Sequence, residues 1–196
     1  MIRQQLKIIL RLPAVGAILL LCGFDATDVT VLIRLYENHG GKLRIWIDAD
    51  ACPGPVKEMV LRASRRTGIP VTLVANRPLF SGSSPLVSAV SVEQTLDAAD
   101  HYLVQHAQSG DLVITADIPL AARLVAGGRA VLNPRGEVYT VENIAERLSL
   151  RDFKEALRAT GTPTGGPAPY HDRDKRAFAN GLDRWLAKNQ PHPSWS

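Results

Sequence analysis

The 196-residue chain has only two cysteines, Cys22 and Cys52, and their spacing suits neither a zinc site nor a disulfide framework. A disulfide-stapled secreted scaffold is thereby excluded, and a reducing cytoplasm is the expected location. No histidine lies near Cys52 in sequence, so Cys52 reads as a small residue filling a tight turn rather than as a nucleophile. No apolar run reaches the length of a comfortable membrane span: Leu12 to Phe24 is the size of a signal peptide's central region only. Charge of one sign is also in short supply. A net +4 helps a polyanion approach but does not by itself make a nucleic-acid binder. With 45% hydrophobic and 21% charged residues, the composition is that of a soluble globular protein, and the length suits one domain with extensions.

Residues 1–42 read differently from the rest. A basic start, the Leu12 to Phe24 run and an aperiodic stretch to Lys42 fit a poor signal sequence, an appended amphipathic helix or an upstream extension from a misplaced start codon. The last is favoured, because an orderly pattern begins at Leu43. From there strand and helix alternate. Strands are expected at Leu43 to Ile47, Val71 to Ala75, Val87 to Val92, Leu112 to Thr115 and Ala130 to Leu132. Helices are expected at Pro53 to Arg66, Glu93 to Ala107, Pro119 to Ala126, Thr140 to Leu148 and Leu150 to Thr160. Such repeats predict an α/β domain over residues 43–160, a three-layer α/β/α sandwich on a mostly parallel sheet. Gly161 to Pro169 reads as a linker, His171 to Lys188 as an amphipathic helix docked on the domain, and residues 190–196 as a disordered tail.

Two acidic segments stand where an apolar strand gives way to a helix: Ile47-Asp48-Ala49-Asp50, running into Pro53, and Ile114-Thr115-Ala116-Asp117, running into Pro119. In a parallel sheet, ligands sit beyond the carboxyl ends of the strands. Several carboxylates converging there repel unless a cation joins them. Asp48 and Asp50, two apart on an extended strand end, are expected to point the same way. Asp50 and Asp117 have a bland alternative as helix N-caps. Asp97 and Asp100 lie one turn apart on the Glu93 helix, either on a solvated face or directed toward the strand ends. Glu93 fits the first turn of that helix for dipole reasons. Oxygen-only ligands suit Mg²⁺ or Mn²⁺, which could activate water and neutralise charge on a phosphodiester.

The blocks Ile47-Asp48-Ala49-Asp50-Ala51-Cys52-Pro53, Val74-Ala75-Asn76, Leu96-Asp97-Ala98-Ala99-Asp100, Gly110 to Ala121 and Asn133-Pro134-Arg135-Gly136 together resemble the bacterial YaiI/YqxD family (UPF0178, also called DUF188), which is grouped with PIN-like domains. The resemblance runs from about Leu43 to Lys188. It implies a PIN-like sandwich, and PIN domains are commonly ribonucleases that hold Mg²⁺ or Mn²⁺ on three or four acids. Carried over, Asp48 takes the first-strand position, Asp97 and Asp100 the helix position, and Asp117 the position after the fourth strand. Thr115 then hydrogen-bonds a ligand or a water on the metal. Asn76, Arg77, Asn133 and Arg135 are candidate phosphate contacts, although the two asparagines are equally natural turn residues.

Metal-dependent phosphodiester hydrolysis is therefore the leading expectation, with RNA ahead of DNA by family analogy only. Asp48, Asp100 and Asp117 would hold the ion, and Asp50 or Asp97 would hold or orient water. One alternative is a haloacid-dehalogenase-like phosphatase using Asp48 as nucleophile. The other is a module that binds nucleic acid or nucleotide without cleaving it. No membrane partner is expected.

Overall fold

Ile45-Trp46-Ile47-Asp48 is apolar on both faces up to its last residue, the pattern of a strand covered on both sides. In a computed structural model, which describes residues 43–78, 84–95, 97–161, 166 and 168–189, this segment is the fully buried strand β1 (Ile45–Asp48). The expectations for residues 1–42, for Leu96, for most of the Gly161 to Pro169 linker and for residues 190–196 lie outside the described residues.

Strand β1 is flanked by β2 (Val71–Ala75) and β4 (Leu112–Ile114), with β3 (Val87–Ser91) beyond β2 and β5 (Ala130–Leu132) beyond β4. These five run parallel. The two-residue β6 (Val138–Tyr139) closes the sheet antiparallel to β5, giving the order β3-β2-β1-β4-β5-β6. The sequence pattern did not predict β6, because two residues after a glycine turn are too few to alternate.

Side chains alternate across the sheet. Ile45, Ile47, Leu73 and Ile114 pack against α1 (Gly54–Thr67) and α5 (Asp172–Asn189), whereas Trp46, Val74, Val113 and Val131 pack against α2 (Ala98–His106), α3 (Ile118–Ala126) and α4 (Val141–Ala159). The expected three-layer α/β/α arrangement is therefore observed. Among the described residues no helix is long and apolar enough to cross a membrane.

Two helices differ from expectation. Helix α2 begins at Ala98, not Glu93. Residues 92–95 stay non-helical, Val92 N–H bonding Ala75 O at 2.9 Å in continuation of the β2–β3 pairing, and Asp97 then adopts a left-handed conformation (φ 60) that starts the helix afresh. Aspartate tolerates that region better than most residues. In contrast, the two helices expected between Thr140 and Thr160 are one. A capping box joining Thr140 and Asn143 starts α4, and no glycine or proline between Leu148 and Leu150 interrupts it.

The amino ends of β1 and β4 are clamped by a buried carboxylate. Asp111 accepts from Arg44 N–H at 3.0 Å, from the Trp46 indole N–H at 2.9 Å and from Gln108 N–H at 2.9 Å. These donors are fixed by the fold, so Asp111 is a structural residue at the end opposite the acidic segments.

Candidate functional site

From β1 the chain proceeds through α1 on one face of the sheet, and from β4 through α3 on the other. The crevice between such diverging connections, at the carboxyl ends of the strands, is the ligand position of a doubly wound sheet. Register places the acids there. Ile47 pairs with Ile114, so the next residues, Asp48 and Thr115, lie side by side. Thr115 Oγ1 donates to Asp48 Oδ2 at 2.7 Å, and Ala51 N–H reaches Asp48 Oδ1 at 3.4 Å. Thr115 Oγ1 also accepts from Asp117 N–H at 3.0 Å, so this fully buried hydroxyl ties both acidic loops together.

Asp48 is 6% exposed. Burial raises its pKa above the ordinary carboxylate range, and the negative charges of Asp117 and Asp50 add to the rise, while the bonds from Thr115 and Ala51 oppose it. Asp100 in the first turn of α2 is pushed up to about 6 by burial and by Asp117, Asp48 and Asp97, with Arg123 pulling the other way. Asp117 caps α3, its Oδ1 accepting from Leu120 N–H at 2.7 Å. Asp48, Asp100 and Asp117 thus face one another electrostatically, and none is in an ion pair among the described residues.

Other candidates fall elsewhere. Asp50 does not follow Asp48 in direction, because the chain turns over residues 49–51. Its carboxylate accepts from Asn76 N–H at 2.7 Å and pairs with Arg77 at 3.0 Å. The α1 N-cap is Pro53, so Asp50 is not that cap. Asp97 is exposed and Glu93 lies before the helix. Asn76 sits at the carboxyl end of β2, its buried Oδ1 without a hydrogen-bond partner among the described residues. Asn133 Oδ1 accepts from Arg135 N–H and its Nδ2 donates to the Tyr139 hydroxyl, both at 2.8 Å. The Arg135 guanidinium pairs with Asp174 at 2.7 Å, donates to the carbonyls of Ala168 and Pro169 and lies over the Tyr170 ring, which assigns it to holding α5 in place. Tyr139, on β6, and Arg123, on α3, enter the site's surroundings unforeseen by the sequence reading. For Tyr139 the reason is that β6 itself was not legible.

The oxygen-only donor set matches a hard divalent cation. Among the described residues, however, no three His, Cys, Asp or Glu side chains stand close enough together to hold an ion. Mg²⁺ commonly takes only one or two carboxylates and keeps several waters, and Asp48 and Asp117, joined through Thr115, are the two acids that the hydrogen bonds bring to one place.

The profile described as "Uncharacterized BCR, YaiI/YqxD family" matches residues 46–188, from β1 through nearly all of α5. The chain belongs to the YaiI/YqxD family. It is similar to the UPF0178 protein of Halorhodospira halophila, with 55% identity over 146 residues, 74% of this chain and 97% of that protein. A UPF0178 protein of Syntrophotalea carbinolica is 53% identical over 75% of this chain and 99% of its own length, and one of Shewanella sp. is 52% identical over 74% and 95%. No solved structure matches.

The acid cluster of this YaiI/YqxD protein carries a pH signature. The folded-state pKa of Asp100, about 6, lies above its ordinary value of 3.8. Protonation therefore favours the folded state, and the stability it brings is complete below about 3.8 and is lost as pH rises through 6. Asp48 acts in the same sense. Asp100→Asn is expected to raise the thermal midpoint by a few degrees at pH 7.5, with the gain shrinking through pH 6 and gone by about pH 4. Circular-dichroism melts across that range test it. A gain independent of pH, or a fall at pH 7.5, contradicts the clustering.

Proposed function

We propose that this protein is a divalent-metal-dependent phosphodiesterase acting on nucleic acid, with RNA preferred to DNA on the analogy of PIN-like domains. The observation that carries the reading is that Asp48, buried at the end of β1 and tied through Thr115 to the Asp117 loop, lies within electrostatic reach of Asp117 and Asp100, with no ion pair to any of the three among the described residues. Burying like charges without compensation costs stability. A protein that retains them gains elsewhere, and the gain at such a crevice is a bound cation and the anion it attracts.

Asp48, Asp100 and Asp117 would hold Mg²⁺ or Mn²⁺, which when bound neutralises charge on a scissile phosphodiester and eases deprotonation of the attacking water. Thr115 keeps the Asp48 carboxylate in one orientation and fixes the Asp117 backbone. Asp50, drawn to Asn76 and Arg77, helps fix the neighbouring loop and is a poorer water-orienting group than its spacing from Asp48 implies. The same pairing weakens the phosphatase alternative, which needs Asp50 free to exchange a proton.

The test is calorimetric titration of Mn²⁺ into the wild type and the Asp48→Asn, Asp117→Asn double variant. The wild type is expected to bind in the micromolar to millimolar range and, at pH 6, to release protons as Asp48 and Asp100, whose pKa values are raised, ionise, seen as a heat that depends on the ionisation enthalpy of the buffer. The double variant is expected to bind at least about tenfold more weakly, without the proton release. Equal binding by both proteins removes the metal role. RNA binding that survives EDTA and yields no products with Mn²⁺ selects the non-cleaving module.

A further inference from the structure

We propose that Lys57 receives the phosphate of the nucleic-acid substrate at this crevice, an inference that rests on the nucleic-acid reading above but not on cleavage. Lys57 stands in the first turn of α1, where the helix dipole disfavours a cation, and no acidic residue accompanies it in that turn. That misplacement is the one signal in the sequence that singles it out. Its side chain is half-buried and reaches back over the β1–α1 turn, where Nζ donates to Ala49 O at 2.9 Å. Ala49 lies between the two aspartates of the first acidic segment, so the ammonium hangs at the edge of the acid-bearing loop.

This contact uses one of three N–H donors, and among the described residues no carboxylate comes within ion-pair distance of the ammonium. Asp50, one residue beyond Ala49, is already taken by Arg77. The buried Cys52 thiol feels both charges, its pKa raised by burial and by Asp48 and lowered by Lys57. Lys57 and Asp48 therefore both lie within electrostatic reach of Cys52, and the bond to Ala49 O holds the ammonium one residue from Asp48 along the chain. A phosphodiester approaching the carboxylates is repelled by them, and an ammonium held beside the acid-bearing loop, with two donors unused among the described residues, supplies the compensating charge-assisted hydrogen bonds.

The experiment measures binding of a fluorescein-labelled single-stranded RNA by anisotropy, in EDTA and across a salt series, for wild type, Lys57→Met and Lys57→Arg. Lys57→Met is expected to weaken binding about tenfold and to lower the slope of log affinity against log salt by about 0.7, the value for one phosphate contact on a single strand. Lys57→Arg is expected to restore most of the affinity and the slope. All three should melt within about 2 °C of one another, since a half-exposed lysine bonded to one carbonyl contributes little to stability. Unchanged affinity and slope in Lys57→Met overturn the assignment, as does a wild type that binds no RNA. Cleavage with Mn²⁺ separates the two claims. RNA bound through Lys57 but never cut ends the nuclease reading alone, and RNA cut equally well by Lys57→Met ends the Lys57 assignment alone.

Discussion

Asp48→Asn is expected to lower Mn²⁺-stimulated cleavage of single-stranded RNA by about a thousandfold or more while leaving the fold intact. The carboxylate is buried, sits beside Thr115 at the end of the central strand and has no cationic partner among the described residues. Removing its charge takes away the strongest attraction for a divalent ion in the crevice, a loss on the scale seen when a preorganised charge-stabilising group is deleted. The amide keeps the shape, and its oxygen still accepts from Thr115 or from Ala51 N–H. Stability moves the opposite way. Burial and the nearby acids make ionised Asp48 a burden to the folded state, so the thermal midpoint at pH 7.5 should hold or rise. This combination of lost activity and preserved or increased stability distinguishes a functional carboxylate from a structural one. A variant that cleaves as well as wild type, or that unfolds, would falsify the role given to Asp48.

Gly136→Ala is expected to have the largest effect on stability. Gly136 has φ +87 in the turn after β5, and a Cβ built there lies 2.3 Å from the carbonyl carbon of Ala177, 2.5 Å from its oxygen and 2.6 Å from Phe178 N. Those are backbone atoms of α5, which cannot rotate aside. The left-handed conformation costs an alanine about 1–2 kcal/mol, and forcing the helix outward adds about 1–3 kcal/mol of packing loss. Phe178, Leu182 and Leu186, all deeply buried, move with the helix. A total of about 2–5 kcal/mol corresponds to a fall of about 4–20 °C in the thermal midpoint for a domain of this size. Gly166→Ala is the control, as its added Cβ would meet nothing within 4 Å among the described residues, and it should melt like wild type. Equal midpoints for the two variants would show that α5 does not rest on Gly136 as described.

The sequence made the parallel strands and most helices readable because burial on both faces leaves long apolar runs, and Gly68 marks the end of α1 plainly. Strand β6 was invisible at two residues. The late start of α2 was hidden because Asp97 resembles an ordinary helix residue until its positive φ is known. Asp48 and Thr115 were legible as residues at strand ends, but the bond of the Thr115 hydroxyl to Asp48, in place of the expected bond to a ligand or a water, depends on the register of β1 against β4, which the sequence does not specify. Asp50 was misjudged for a physical reason: period-two alternation holds only while the strand lasts, and β1 stops at Asp48. Arg135 looked like a phosphate ligand in its Asn-Pro-Arg-Gly turn, but its partner Asp174 is far off in sequence, and no local pattern predicts that pairing. Lys57 is legible in the sequence only as a cation in the first turn of a helix, and its reach back to Ala49 O is visible only in the fold.

The place of α5 in the order of the chain has a bearing on biosynthesis. The face of the sheet it shares with α1 takes Phe178, Leu182 and Leu186 from this last described element. While the ribosome is still translating those residues, that flank of the nascent polypeptide is bare, so the acid crevice can take shape only on a half-clad scaffold. Completion of the native state must wait for the distal segment to emerge, and a chaperone that shields greasy surfaces would find its opening in that interval.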